Sequence, residues 1–395
     1  VEGPHDDDLG RRPSVVRRRR TTRRWLLTTC ALVPPVLLLA ACGKARPAIE
    51  YDGPVSTSTT SVALSTTTTA AGPQLGPWVN ATGNLAGTPS ECGNMSFVSG
   101  RPGTNQVLAG VALQGLWSND GSNLDWSRIG GGAQIRNRTT TILYDPQVPN
   151  RFWEAGSYTG PGVVRTDDGG RSFQALGDIF AIDGVSVDFT DPGRRTMLAG
   201  GHDRPDLWRS TDGGSSWQQI APKLPEGTFP AWPLVIDAQT YLLGTRRGSA
   251  PTIMRTTDGG ATWTDVFPGG VAGPPLVAKD GSIYWALELG AGVVRSSDGG
   301  VTWTRVTPRG VLDSYNIVET ASGDLLSVGA SYALVSSDKG VTWRALGPQL
   351  PIADGYGVAY SEGQNAAFVW YWTCSGSDPV PADAIQRLSL TPSSG

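Results

Sequence analysis

The residues of this 395-residue chain that could do chemistry are mostly arginines, carboxylates and aromatics. Arg136, Arg246 and Arg247 carry fork-shaped guanidinium groups that match a carboxylate or another planar anion. Glu154, Asp203, Glu288 and Asp313 could supply the acid and base for cleaving a glycosidic bond, but no spacing selects a pair. His202, Arg204, Trp232, Tyr315, Tyr332, Tyr356 and Trp372 add hydrogen-bonding groups and aromatic faces of the kind that suit sugars or peptides. Only two histidines occur, His5 and His202, so a multi-histidine metal site is excluded, and neither a metal nor a cofactor is expected. The chain lacks a G-x-S-x-G nucleophile elbow, a P-loop, a dinucleotide fingerprint, a zinc motif and an EF-hand loop. Taken singly, each candidate is equally a solvated loop residue, so the elements that carry them must decide.

Composition narrows those elements. The chain has 52 Gly and 29 Pro, only 17% charged residues, and 14 Trp against 10 Tyr and 8 Phe. A helical bundle or coiled coil would need far more Ala, Glu, Lys and Leu, and bulk disorder is at odds with so many Trp and β-branched residues. A turn-rich all-β protein fits.

One feature recurs. Thr166-Asp167-Asp168-Gly169-Gly170-Arg171-Ser172-Phe173 is followed by Ser210–Trp217, Thr256–Trp263, Ser296–Trp303 and Ser336–Trp343, all of the form S/T-x-D-x-G-x-S/T-aromatic. A looser copy runs from Ser118 to Trp126. Its Asp120 is followed by Asp168, Asp212, Asp258, Asp298 and Asp338 at intervals of 48, 44, 46, 40 and 40 residues. Each copy suits a hairpin turn. The Asp accepts bonds from backbone N–H groups just ahead, the Gly supplies positive φ, and the aromatic starts the next strand and packs between sheets. Around each turn four short stretches alternate as strands, for example 276–279, 282–288, 293–296 and 302–306. Four strands per unit of 40–50 residues, repeated, predict a β-propeller. Six units carry the turn. Residues 356–390 add a seventh with three strands, and the stretch around Trp78–Thr82 is left to complete it, which would close the ring and remove both sheet edges. Seven blades are expected, with six plus an appendage as the alternative.

The repeated turn resembles the Asp-box (BNR) repeat of sialidase-like and sortilin-like propellers, over about four-fifths of the chain. The resemblance implies that Asp120, Asp168, Asp212, Asp258, Asp298 and Asp338 are structural, joining third to fourth strands on the face away from ligands. It places the ligand face on the loops from second to third strand and from fourth strand to the next blade. These carry the candidates above, together with Arg138, Tyr158 and Asp206. In a sialidase, three arginines would hold the substrate carboxylate while a Tyr activated by a Glu attacks. Arg136, Arg246, Arg247, Tyr356 and Glu288 could be cast in those roles. The Phe/Tyr-Arg-Ile-Pro opening of that family is absent, however, and Arg101-Pro102 is its nearest counterpart. The xyloglucanases that share the box would use two carboxylates instead. A non-catalytic propeller binding a protein or glycan is therefore expected, with a sialidase-like or two-carboxylate glycoside hydrolase as the alternative.

The first 42 residues carry eight Arg and four acids, which leaves a net charge of −7 on the rest; this argues against a nucleic-acid partner. Residues 1–42 read as an export signal: a basic run (17–24), a short apolar segment, then Leu39-Ala40-Ala41-Cys42. That last sequence resembles a bacterial lipobox, which implies cleavage before Cys42 and lipidation of its thiol. Residues 22–27 also resemble a twin-arginine signal. Residues 43–76 are rich in Ser, Thr, Ala and Pro and read as a disordered tether, and 77–392 as the propeller. The expected location is the outer face of the bacterial cytoplasmic membrane or the cell surface, with the protein as a monomer. Export would favour a disulfide between Cys92 and Cys374, which a closed ring would make neighbours.

Overall fold

The computed structural model describes residues 75–91, 95–131, 135, 137–246, 251–312, 314–352, 355–372 and 379–391. The expected signal, Cys42, the tether up to residue 74 and the Cys92–Cys374 pair lie outside them, whereas Leu75, expected in the tether, packs against the core. The described residues form seven four-stranded antiparallel sheets arranged as the blades of a β-propeller. Blades 1 to 6 span 95–128, 138–175, 182–219, 232–268, 276–307 and 318–345, each in simple sequential order. Among the described residues there is no α-helix, only three short 3-10 turns, and no helix long and apolar enough to cross a membrane.

Blade 7 shows how the ring closes. Gly357–Ser361, Ala366–Trp370 and Ile385–Ser389 supply its inner strands, and Val79–Asn80 pairs along Arg387 and Gln386 as the outermost one. Asn84 then bonds the backbone of Trp126 through both ends of its amide, and the Trp126 indole donates to the Ala81 carbonyl at 2.9 Å. The N-terminal segment thus knits blade 7 to blade 1. In five blades the outermost strand is only two residues long, the kind of short, protected edge that discourages pairing with other chains.

Burial decides which strands face the axis. Ile182–Val187, innermost in blade 3, is buried at every residue, whereas Gln174–Ala175, outermost in blade 2, is exposed at both. A strand covered on both faces loses the apolar–polar alternation that a half-solvated strand would show. The cores lie between blades, and Trp153, Trp232, Trp285, Trp370, Tyr241 and Tyr284 are their largest fully buried side chains.

The five regular turns are built alike. In each, the leading Ser or Thr hydroxyl donates to the Asp Oδ1 at 2.7–2.8 Å and accepts the N–H of the Gly two residues after the Asp, the second Gly in four turns and the single one, Gly340, in the fifth. The Asp then takes the backbone N–H and the hydroxyl of the Ser or Thr four residues on. The second Gly sits at φ between +81° and +94°, where a Cβ would be strained. Side chains preceding the turns reach forward to the next blade: Arg209 donates to the Gly259 carbonyl at 2.7 Å and Arg255 to that of Gly299 at 3.3 Å. The loose copy is organised differently. Asn119, buried, bonds Gly121, Asn123 and Asp125, while Asp120 receives the N–H of Ser122 at 3.0 Å. The extra residue has moved the hub of that turn one place back.

Candidate functional site

The loops from second to third strand and from fourth strand to the next blade share one face of the propeller, opposite the repeated turns. At its centre an aromatic group fills the axis. Tyr315 is buried, donates its hydroxyl to the Thr140 carbonyl at 2.9 Å, and meets Phe97 and Trp232 edge-on at 6.3 and 5.5 Å. Tyr356 stacks on it at 4.7 Å, and Trp372 stands edge-on to Tyr356 at 5.0 Å. Burial, reinforced by neighbouring Tyr356 and Asp183, drives the Tyr315 phenol well above its usual range, so it stays neutral. Trp232 is also fully buried, so it and Tyr315 form the floor and Tyr356 and Trp372 the layer above.

Around this plug lies a polar network. Asp183, near the top of the innermost strand of blade 3, is almost fully buried and accepts from His202 Nδ1 at 2.7 Å. With that nitrogen donating, Nε2 is left to accept the Tyr158 hydroxyl, 3.3 Å away. Tyr158 in turn lies 3.4 Å from an Arg138 guanidinium nitrogen. The Arg138 head sits over both the Tyr158 and the Trp372 rings, at 5.6 and 5.2 Å. Arg246 faces Asp183 at 3.6 Å and Glu288 at 3.8 Å. Burial opposes its charge, but the nearby Asp183, Tyr356, Asp203 and Glu288 outweigh this and hold its pKa above the usual guanidinium value. Arg204 is bonded to Asp206 at 2.8 Å and lies over the Phe180 ring at 4.9 Å.

The other candidates divide. Glu154 lies on the second strand of blade 2 and is wholly buried; its Oε2 accepts from Asn137 at 3.3 Å and its Oε1 has no partner. Burial pushes its pKa up to about 7, against smaller opposing effects of Thr139 and Asn137. It therefore offers no face to a ligand, but the same Asn137 amide also holds the Pro161 carbonyl in the loop that carries Tyr158. Tyr332 is half-buried against the core between blades 5 and 6. Asp203 occupies the left-handed region at φ +49°, next to His202. Arg136, Arg247 and Asp313 lie outside the described residues. Asp183 escaped the sequence reading because it lies on an innermost strand, Ile182–Val187, and not on the loops from which candidates were drawn. Among the described residues no three His, Cys, Asp or Glu side chains converge as a metal site requires.

No family model and no curated protein matches the chain. Solved structures do. The GH74 xyloglucanase from Xanthomonas campestris superposes with a TM-score of 0.55 at 15% identity, covering 77% of this chain and 44% of that one. The extracellular domain of a hybrid two component system from B. thetaiotaomicron gives 0.54 at 11% identity over 81% of this chain and 42% of that one. That of a one component system from the same organism gives 0.51 at 9%, over 80% and 39%. The chain thus spans less than half the length of these structures, and at such identities the likeness is one of fold: the chain is a seven-bladed β-propeller.

Proposed function

We propose that the loop face recognises a glycan and performs no chemistry on it. The observation that carries this reading is the burial of Glu154 beneath the face. A glycosidase needs an exposed acid with a raised pKa set against a second carboxylate. Here the carboxyl group raised to about 7 is Glu154, fully buried beneath the face. Arg246, the candidate for a substrate-carboxylate clamp, already faces two of the protein's own carboxylates. Among the described residues of this face, half-exposed Tyr158, Phe180 at 58% and nearby polar groups are open to solvent, a mixture suited to sugar rings with their apolar faces and hydroxyl edges. A protein partner fits less well, since the exposed apolar residues Tyr158, Phe180 and Leu289 stand singly among polar groups. The leader, the lipobox-like Leu39–Cys42 sequence and the tether support an exported chain held by a lipidated Cys42 at the outer face of a bacterial membrane or the cell surface. There the propeller would bind extracellular glycan as a monomer.

One specific observation favours a second reading, hydrolysis. The Asp183–His202–Tyr158 chain has the form of an oriented base beside a nucleophile. Incubation with fluorogenic sialosides and a panel of β-glucans separates the two. Binding without turnover is the expected result. Turnover that is lost in His202→Ala and Tyr158→Phe would replace recognition with catalysis.

A further inference from the structure

We infer that the seam between blades 7 and 1, on the turn face, is a binding site for a carboxylate on a short apolar stem. It is separate from the loop face and does not depend on how that face is read. A cavity of about 150 Å³ lies there. Three positions after the aromatic that opens each fourth strand, blades 1 to 6 carry a large aliphatic: Ile129, Leu176, Ile220, Val266, Val306 and Leu346. In the turns of blades 2, 3, 4 and 6, the glycine two residues after the Asp lies against the aliphatic of the preceding blade. A Cβ on it would sit 2.8–3.2 Å from Ile129, Leu176, Ile220 or Val306. Blade 7 takes its fourth strand from the N-terminal segment. There Trp78 holds the aromatic position, and the third residue on is Ala81. Facing it, the loose turn of blade 1 has Asn123 four residues beyond the end of its third strand, where the regular turns have that glycine. Both halves of the contact are missing, in a molecule whose interior is otherwise filled like any protein's. Trp126 still bonds the Ala81 carbonyl, as Trp217 bonds that of Leu176, so this seam is aligned like the others and lacks only the side chain that would fill it.

Charge selects the ligand. Arg387 is the one charged residue among the described residues that line the cavity. It pairs with Val79 as Arg209 pairs with Gln218 and Arg255 with Thr264, each partner standing just after the aromatic, so the three arginines are counterparts. Arg209 and Arg255 donate to a glycine carbonyl of the next turn, at 2.7 and 3.3 Å. Arg387 meets no such carbonyl. Its Nε reaches Gln364 Oε1 at 3.4 Å, and its two terminal nitrogens have no hydrogen-bond or ion-pair partner among the described residues. The amide nitrogens of Asn119 and Gln364 are already spent on backbone carbonyls, whereas that of Asn123 is a second donor with none. Donors are thus in excess, and one is a guanidinium, whose fork matches a carboxylate. Asp120, at the edge of the same turn, is held by Ser122 and does not line the cavity. Leu124, Trp126 and Phe368 supply an apolar wall, and exposed Leu124 and Asn123 mark the mouth. The volume lies below the roughly 300–1,000 Å³ of pockets for drug-sized molecules, so the stem is short.

The test is isothermal titration of the full-length chain with hexanoate and 3-phenylpropionate, with their neutral amides, and with acetyl-Gly-Gly-Phe bearing a free or an amidated C-terminus. The acids are expected to bind about tenfold more tightly than the amides. The peptide arm separates the two sources of such a group: tighter binding of the free-ended peptide than of 3-phenylpropionate assigns the site to a chain end, and the reverse to a free acid. Ala81→Leu restores the missing side chain and should raise the urea midpoint while abolishing binding. Arg387→Gln should remove the preference for acid over amide. Arg387→Lys, which keeps the charge without the fork, should retain part of it. Glycan binding on the loop face should be unchanged in all three variants. Equal binding of acids and amides, binding undiminished in Ala81→Leu, or no binding of any probe at about 10 mM would overturn the inference.

Discussion

The two faces of this propeller are made by opposite rules. On the turn face one solution is used five times: the same hydroxyl, the same carboxylate and the same positive-φ glycine, with bond lengths that repeat to about 0.1 Å. Each Asp is satisfied by its own turn, and its side-chain bonds lower its pKa, with Asp298 held at about 2 chiefly by Thr302. On the loop face nothing repeats. A buried acid with a raised pKa, an Asp–His–Tyr chain and a guanidinium over two rings lie there, each present once. Repetition here marks what holds the ring together, and irregularity marks what the ring is for.

Mutations can break that contrast. The largest effect is expected from Arg194, buried on the turn face, where it clasps Asp145 of blade 2 with two bonds at 2.8 and 3.0 Å. Arg194→Met leaves the Asp145 carboxylate buried with its clamp removed and should cost about 3–5 kcal/mol in urea unfolding. Next comes Glu154 beneath the loop face. Its folded pKa of about 7 stands above the usual carboxyl value of 4.5, so the folded state holds a proton that the unfolded chain releases. Stability should therefore fall as pH rises from about 4.5 to 7, by up to about 3 kcal/mol. Glu154→Gln should abolish that slope and raise the urea midpoint at pH 8 without raising it at pH 4. Asp298 works in the opposite sense: its lowered pKa gives stability that is present above about 4 and is lost as pH falls towards 2. Thr256→Ala removes a buried hydroxyl that donates to Asp258 and accepts the Gly260 N–H, and should cost about 1–2 kcal/mol. Ser210→Ala and Ser296→Ala should cost the same, because the turns are equivalent. A spread of several-fold among the three would end the claim of equivalence. Smallest is Phe180→Ala, an exposed rim substitution expected to move stability by less than about 0.5 kcal/mol while altering ligand binding.

How far the molecule was legible from its residues follows the same division. The turns announced themselves because Asp, Gly, hydroxyl and Trp each have a local reason to sit where they do, and a local reason survives without tertiary information. Counting strands around them placed Val79–Asn80 in blade 7. The loose first copy misled only in its hub, where Asn119 replaces Asp120, since an inserted residue shifts which side chain points inward. The loop face was legible only as a set of segments. Sequence places Tyr315, Trp232 and Glu154 on or near loops, yet all three side chains turn into the core. Asp183 and Tyr158 became a pair with His202 only when blades 2 and 3 were set side by side. Which way a side chain points from an irregular loop depends on contacts made by distant parts of the chain, and no periodicity encodes it.

The account is tested most directly by titrating one oligosaccharide that the wild type binds into three proteins: wild type, Trp372→Ala on the loop face and Thr256→Ala on the turn face. Division of labour between the faces predicts that affinity collapses in Trp372→Ala and is kept in Thr256→Ala, although the second is the less stable protein. Affinity retained in Trp372→Ala, or lost in Thr256→Ala while the protein remains folded, would contradict it.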